Sequence, residues 1–123
     1  MASIFEATAG KLIGPTTGGT VTQATSKATG VTLNAASGQI TLDDAALAAA
    51  AEVTFVVTNS EISATDVVVV NHSSAGTAGA YLAQATNIAA GSFKITVANL
   101  SAGSLGEAIV LSFVALKLSL IHI

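Results

Sequence analysis

The residues best suited to covalent chemistry lie in one short stretch around the first histidine. His72 is followed directly by Ser73 and Ser74, and Asp66 lies a few positions upstream. A serine hydrolase needs a histidine that takes the serine proton and a carboxylate that holds the histidine. Adjacent residues of a strand point to opposite faces, so neighbours in sequence rarely form this arrangement. We therefore predict a turn histidine that forms hydrogen bonds with its own loop.

Two adjacent carboxylates, Asp43 and Asp44, raise the question of a calcium site. An EF-hand loop needs oxygen ligands at alternate positions and a central glycine, whereas alanines follow this pair. The other acidic residues stand singly, no phosphate-loop glycine pattern is present, and the chain has no cysteine. We predict no catalytic residue, no cofactor and no metal site, and hence a protein that is not an enzyme.

Aromatic residues could instead bind a sugar, because carbohydrate sites often stack a ring on an aromatic face. The chain has no tryptophan, and Phe55, Phe93 and Phe113 lie in patterns typical of core residues. Tyr81 is the remaining candidate, and together with His72 it is our predicted ligand or partner contact. The alternative interpretation of Tyr81 is an amphipathic residue at the margin of a sheet.

Charge is unusually sparse along the whole chain. Charged residues make up 9% of it, with 4 Lys+Arg, 7 Asp+Glu and a net charge of -3; an ordinary soluble domain has about 25%. Four scattered lysines cannot form the row of cations that nucleic acid requires. The most apolar run, residues 108–116, is far shorter than the roughly 20 residues of a membrane-spanning helix. We predict neither a nucleic-acid nor a membrane partner.

The surface predicted from this composition consists of Ser, Thr, Ala, Asn and Gly. Such a surface loses little hydration free energy when it is covered, which favours burial in an assembly. The alternative is a lightly charged monomer.

Short β-rich runs alternate with turn clusters at intervals of about ten residues, the spacing expected of a sandwich or barrel. β-Branched residues fill the runs, and Gly, Asn and Ser fill the turns. We predict an all-β domain over residues 20–117, an antiparallel β-sandwich of jelly-roll or immunoglobulin-like type. The runs cover residues 20–24, 31–33, 39–42, 53–57, 66–71, 80–85, 93–97 and 107–116.

Two features depart from the simple strand pattern. Residues 43–51 place two aspartates before an alanine run, which predicts one short helix; a non-helical crossover loop is the alternative. Residues 67–70 and 108–116 are apolar on both faces. These two runs are either central strands covered on both sides or strands with one face against another subunit, and we favour subunit contact.

Both ends of the chain differ from the predicted domain. Residues 1–19 end in GPTTGG and are expected to form a flexible N-terminal arm. Residues 118–123, LSLIHI, match the translation of the transposon-end adapter used in sequencing libraries. We expect this tail to be non-native, with an apolar strand extension as the alternative.

Several segments resemble a family of small virion proteins of tailed bacteriophages. These are GTVTQATSKATGVTLN at residues 19–34, SGQIT at 37–41, ATDVVVVNH at 64–72, AGSFKITV at 90–97 and SAGSL at 101–105. The resemblance covers about residues 18–117. It implies a β-sandwich of head-decoration or fibre-associated type and transfers no active site.

From this resemblance we expect a phage virion structural protein, either a capsid decoration (cement) protein or an appendage component. Its expected partners are copies of itself, in a homo-oligomer with a trimer as one option, and phage capsid or tail proteins. Its expected location is the virion, assembled in the host cytoplasm. The alternative function is a receptor- or carbohydrate-binding module of a phage tail fibre.

Overall fold

The computed structural model describes residues 18–117 as eight β-strands without a helix. Each of the eight predicted runs contains a strand or part of one, so the all-β prediction is confirmed. The strands are β1 (Gly19–Thr22), β2 (Val31–Thr32), β3 (Ser37–Thr41), β4 (Glu52–Thr58), β5 (Val67–Ser74), β6 (Tyr81–Ala89), β7 (Ser92–Asn99) and β8 (Val110–Leu116).

The strands form two four-stranded sheets that pack on each other as a β-sandwich, as the sequence predicts. Sheet 1 has the order β1-β3-β8-β5, and sheet 2 has the order β2-β4-β7-β6. Each sheet therefore has two edge strands, of which β5 and β6 are long and β1 and β2 are short.

Two strand pairs are parallel, which corrects the prediction of antiparallel sheets. The pattern follows if the chain reverses direction at every connection, so that odd-numbered strands run one way and even-numbered strands the other. The neighbours β1–β3 and β2–β4 each join strands of the same direction and are parallel. The other four neighbouring pairs join an odd strand to an even one and are antiparallel.

The core lies between the sheets and consists of the inward residues of each strand. Phe93, Ile95 and Val97 of β7 are fully buried, which confirms their predicted inward alternation. Leu111 and Phe113 of β8 face them from sheet 1, and the rings of Phe93 and Phe113 lie 5.6 Å apart. Full burial of one such side chain contributes about 1.5–3 kcal/mol, so these strands hold the two layers together.

Residues 43–51 are not helical, so the predicted short helix is wrong. Leu47 forms an isolated antiparallel bridge with Leu105, with hydrogen bonds of 2.9 and 3.0 Å. The ammonium of Lys27 takes the carbonyl oxygen of Ala45 as an acceptor at 2.7 Å. A helix would need these backbone groups for its own hydrogen bonds. Tertiary partners therefore outweigh the weak helix preference of a short alanine run.

Most of the predicted arm (residues 1–19) and the whole predicted tail (residues 118–123) lie outside the described residues. β1 begins at Gly19, one residue before the predicted start of the domain. Within residues 18–117, no helix is long and apolar enough to cross a membrane.

Candidate functional site

His72 and Tyr81, the two residues singled out from the sequence, meet at one edge of the sandwich. His72 lies near the end of β5, an edge strand of sheet 1, and Tyr81 begins β6, an edge strand of sheet 2. Their rings pack edge to face with centroids 5.4 Å apart. The fold brings together two residues that share no sequence motif.

The imidazole of His72 holds its own loop. Its Nε2 lies 2.7 Å from the carbonyl oxygen of Ala75 and 3.1 Å from that of Ser74. Because both partners are acceptors, Nε2 carries a proton and donates it. The predicted hydrogen bonding of His72 to its own loop is confirmed, but His72 lies in strand β5 and not in a turn.

The serine, histidine and aspartate considered for hydrolysis do not come together. The hydroxyl of Ser73 donates to the carbonyl oxygen of Val110 at 3.2 Å. Asp66 precedes the opposite end of β5, about 20 Å from His72 at the usual rise of a strand. The structure therefore leaves His72 without this carboxylate as a partner.

Glu107 organises the loop beside His72 and Tyr81, and sequence reasoning missed this role. One carboxylate oxygen accepts hydrogen bonds from the Tyr81 hydroxyl at 2.7 Å and from the Thr77 N–H at 2.9 Å. The other accepts from the Thr77 hydroxyl at 2.8 Å. These bonds, the one from Tyr81 first, hold the pKa of Glu107 below its ordinary value. No local pattern could reveal this cluster, since its members are far apart in sequence.

The loop can approach Glu107 this closely because it contains Gly76. Gly76 has a φ of +77°, and a Cβ atom there would lie 2.6 Å from Cγ2 of Ile109 and 2.9 Å from the carboxylate of Glu107. Any other residue would be strained in this conformation and would push the loop outward.

Tyr81 is only 7% exposed. Burial, followed by the hydrogen bond to Glu107 and the charge of Glu107, raises the pKa of Tyr81 to about 12. A buried ring offers no free face on which a sugar could stack. The position of Tyr81 corresponds to the alternative interpretation, an amphipathic residue at the sheet margin.

An open cleft of about 560 Å³ runs between the edges of β5 and β6 above the two rings. Its walls carry no Asp, Glu, Lys or Arg within the described chain. The lining residues are Val70, Asn71, His72, Ser73, Gly79, Tyr81, Leu82, Ala83 and Ser112.

The opposite end of β5 is closed by an ion pair. The ammonium of Lys117 lies 2.6 Å from the carboxylate of Asp66 and also contacts the carbonyl oxygen of Glu61. Burial opposes ionisation of Asp66, but the hydrogen bonds from Lys117 and from the Ser63 N–H outweigh it and lower the pKa of Asp66. The charges at this end of sheet 1 are thus matched.

A buried cation, Lys27, was also missed from the sequence. Lys27 is only 3% exposed. Its ammonium donates hydrogen bonds to the backbone carbonyl oxygens of Asp43, Ala45 and Glu107. Gln23 completes the network, donating to the carbonyl oxygen of Lys27 and accepting from the Asp43 N–H. Three carbonyls use all three donors of the ammonium, so Lys27 ties three loops together.

The outer surface of sheet 1 carries an aliphatic patch. Val67 lies opposite Leu116 and Val69 lies opposite Val114 in the register of β5 and β8, so the four side chains form one block. Val67, Val69 and Leu116 are 44%, 43% and 45% exposed. We call this block, Val67, Val69, Val114 and Leu116, the valine patch.

None of the four described strands of sheet 1 contains Asp, Glu, Lys or Arg. The rest of their outer surface is Ser, Thr, Asn and Gln, together with the half-buried Val110 of β8. The outer surface of sheet 2 differs, since it carries Glu52 on β4 and Lys94 on β7. The described strands of sheet 1 therefore present an uncharged surface with an apolar patch at its β5 side.

Within residues 18–117, no cluster of His, Asp and Glu is arranged to hold a metal ion. In the comparisons with known proteins, no family model, no characterised protein and no solved structure matches the chain. The fold defines residues 18–117 as an eight-stranded β-sandwich.

Proposed function

We propose that this protein is a structural component of a phage virion that acts by assembling with copies of itself and with the particle. The observation that carries the assembly part is the uncharged outer surface of the described strands of sheet 1, with the valine patch on β5 and β8. The virion part rests on the resemblance of residues 18–117 to small phage structural proteins.

The composition of the sheet 1 surface supports association. Interfaces between proteins are depleted of charge at their core and have a polar rim. The valine patch is followed outward by Ser112, Asn71 and Gln39, and the ion pair of Asp66 and Lys117 lies at its border. This surface loses no ionic hydration when a neighbour covers it.

The polar clusters of the described residues support a structural role rather than a reactive one. Lys27, Asp66 and Glu107 are each held by backbone or side-chain hydrogen bonds that stabilise loops. The hydroxyl of Tyr81 is used in the same way. These groups serve the fold, and the alternative of a sugar-binding module finds no exposed aromatic ring at Tyr81.

The proposal is tested by two measurements on the full chain. Light scattering after size exclusion, over a concentration series, should reveal a mass that rises above 12.0 kDa. Co-sedimentation with phage capsids and with phage tails should retain the protein on one of the two. A protein that stays monomeric at the highest concentration and binds neither particle would refute the proposal.

A further inference from the structure

We infer that β5 is the strand through which two copies of the chain associate, by antiparallel pairing of β5 with β5 of the second copy. This inference rests on the proposed self-assembly and assigns one of its contacts to the edge of β5, beside the outer surface of sheet 1. β5 ends the strand order of sheet 1, so one side of its backbone has no hydrogen-bonded strand among the described residues. A free strand edge is a row of hydrogen-bond donors and acceptors that a second strand can satisfy.

Comparison of the four edges favours β5. β1 and β2 have four and two residues, too few for a stable contact. β6 has nine, but its register breaks between Thr86 and Ala89 and Asn87 has a φ of 53°. β6 also carries alanines, which form strands poorly. β5 begins with four valines and stays in register until the bulge after His72.

The absence of charge on β5 supports a copy of the same chain as the second strand. Each copy has a net charge of -3, so most pairings of two copies bring like charges together. β5 contains no Asp, Glu, Lys or Arg, and natural edge strands often use such charges to prevent pairing. Two β5 edges can therefore meet without repulsion between charged side chains of the two strands.

Side-chain types select one register. Pairing Val69 with Val69 of the second copy places Val68 opposite Val70 and Val67 opposite Asn71. The valines at the centre then form cross-strand pairs, each worth about 0.2–1 kcal/mol relative to alanine pairs. Asp66 falls opposite His72 in this register. Shifting the centre to Val68 would instead place the Asp66 carboxylate opposite Val70.

The size of this contact sets its strength. Residues 67–72 of two copies can exchange about six backbone hydrogen bonds, whereas a standard interface has about ten. We therefore expect a weak dimer in solution. Binding of many copies to one particle would raise their effective concentration and populate the contact.

Single cysteines test the register, because the chain has no cysteine of its own. In the inferred dimer the two copies of position 69 are about 5 Å apart, within reach of a disulfide. The two copies of position 67 are about 13 Å apart along the strands, beyond reach. Val67 and Val69 are almost equally exposed, so Val67→Cys is a matched control for Val69→Cys.

With diamide as the oxidant, Val69→Cys should form covalent dimer at least tenfold faster than Val67→Cys at equal concentration. Val56→Cys, an exposed valine on the inner strand β4 of sheet 2, should be as slow as Val67→Cys. Gln84→Cys tests the edge of β6. Equal rates for positions 69, 67 and 56, or a fastest rate for position 84, would overturn the inference.

A second measurement avoids covalent capture. Val69→Lys places two like charges opposite each other and should increase the dissociation constant in sedimentation equilibrium at least tenfold, whereas Val56→Lys should leave it within twofold. Circular dichroism establishes that both variants are folded. If both variants self-associate and bind particles as the native chain does, the inference fails and the proposed function stands. If Val69→Cys cross-links but the native chain binds no particle, the inference stands and the virion role fails.

Discussion

The two outer surfaces of the sandwich cover the same core but differ in charge. The sheet 2 surface is interrupted by Glu52 and Lys94, and its central threonines, Thr54 and Thr96, share a hydrogen bond of 2.7 Å. The sheet 1 surface has no charged strand residue and exposes the valine patch. Since the core requires only inward apolar residues, the outer residues are free to differ, and their difference supports the proposed association through sheet 1.

The charges absent from sheet 1 are found at its ends and in the loops. Asp66 with Lys117, Lys27 with three carbonyls, and Glu107 with Thr77 and Tyr81 each stabilise a connection. A buried or loop-bound charge needs partners, which these backbone groups supply. Around sheet 1 the charges thus stabilise strand ends and loops, whereas the outer surface of its described strands is uncharged, and five predictions test this contrast.

The largest effect should come from the core that both sheets share. Phe93→Ala removes a fully buried ring that contacts Phe113 across the layers, and it should lower the free energy of unfolding by about 3–5 kcal/mol. Urea denaturation followed by circular dichroism measures this. Both sheets should unfold in one transition; two separate transitions would show that the layers are not interdependent.

Lys27→Met should have the next largest effect. It keeps the aliphatic stem but leaves the carbonyls of Asp43, Ala45 and Glu107 without the ammonium, at a cost of about 1–3 kcal/mol. Thermal denaturation measures the loss. Lys94→Met, on the exposed face of sheet 2, is the control and should change stability by less than about 0.5 kcal/mol. Similar losses of stability for both variants would refute the role of Lys27 in tying the three loops together.

Tyr81 gives a smaller and more specific signal, because it is the one tyrosine of the chain. With the pKa of Tyr81 raised to about 12, only about a tenth of it should be ionised at pH 11, where an ordinary tyrosine is about nine-tenths ionised. Ultraviolet absorbance of the folded protein measures the fraction. Glu107→Gln removes the negative charge and should lower this pKa; no change would mean that Glu107 does not act on Tyr81.

Removal of the hydroxyl tests the same contact through stability. Tyr81→Phe keeps the ring against His72 and should cost about 0.5–1.5 kcal/mol. An unchanged midpoint of denaturation would indicate that the bond to Glu107 contributes nothing to the fold.

The smallest effect concerns the two surfaces directly. Val69→Ser and Val56→Ser replace valines of similar exposure on sheets 1 and 2, and each should change the stability of the monomer by about 0.5 kcal/mol or less. Denaturation at low protein concentration measures this. A much larger loss of stability for Val69→Ser would mean that the valine patch stabilises the monomer itself. The difference between the two surfaces would then no longer support association through sheet 1.

Much of the fold could be predicted because strand signals are local. The alternation of Phe93, Ile95 and Val97 identifies an inward face without knowledge of the partner strand. The helix at residues 43–51 was predicted wrongly for the converse reason. Its local signal was genuine, but Leu105 and Lys27, distant in sequence, take the backbone groups that a helix would use.

The candidate site was predicted only in part. His72 and Tyr81 were identified as chemically unusual residues, and the loop hydrogen bonds of His72 were expected. The hydrogen bonds of Glu107 to Tyr81 and Thr77, the burial of Tyr81 and the hydrogen bonds of the Lys27 ammonium were missed. Each depends on contacts between segments that are separated by many residues. The apolar outer surface of residues 67–70 was visible as a run of valines. Its position on an edge strand was not.

By itself the sequence determined the strand segments, the scarcity of charge and the apolar character of both faces of β5, because these depend on residue type and period alone. Tertiary structure decided which strands lie at the edges, which pairs are parallel and which charges are held by backbone groups. The physical reason is that a strand forms no backbone hydrogen bonds within itself, so its N–H and C=O groups depend on neighbouring strands, and the packing of the whole chain decides which strands those are.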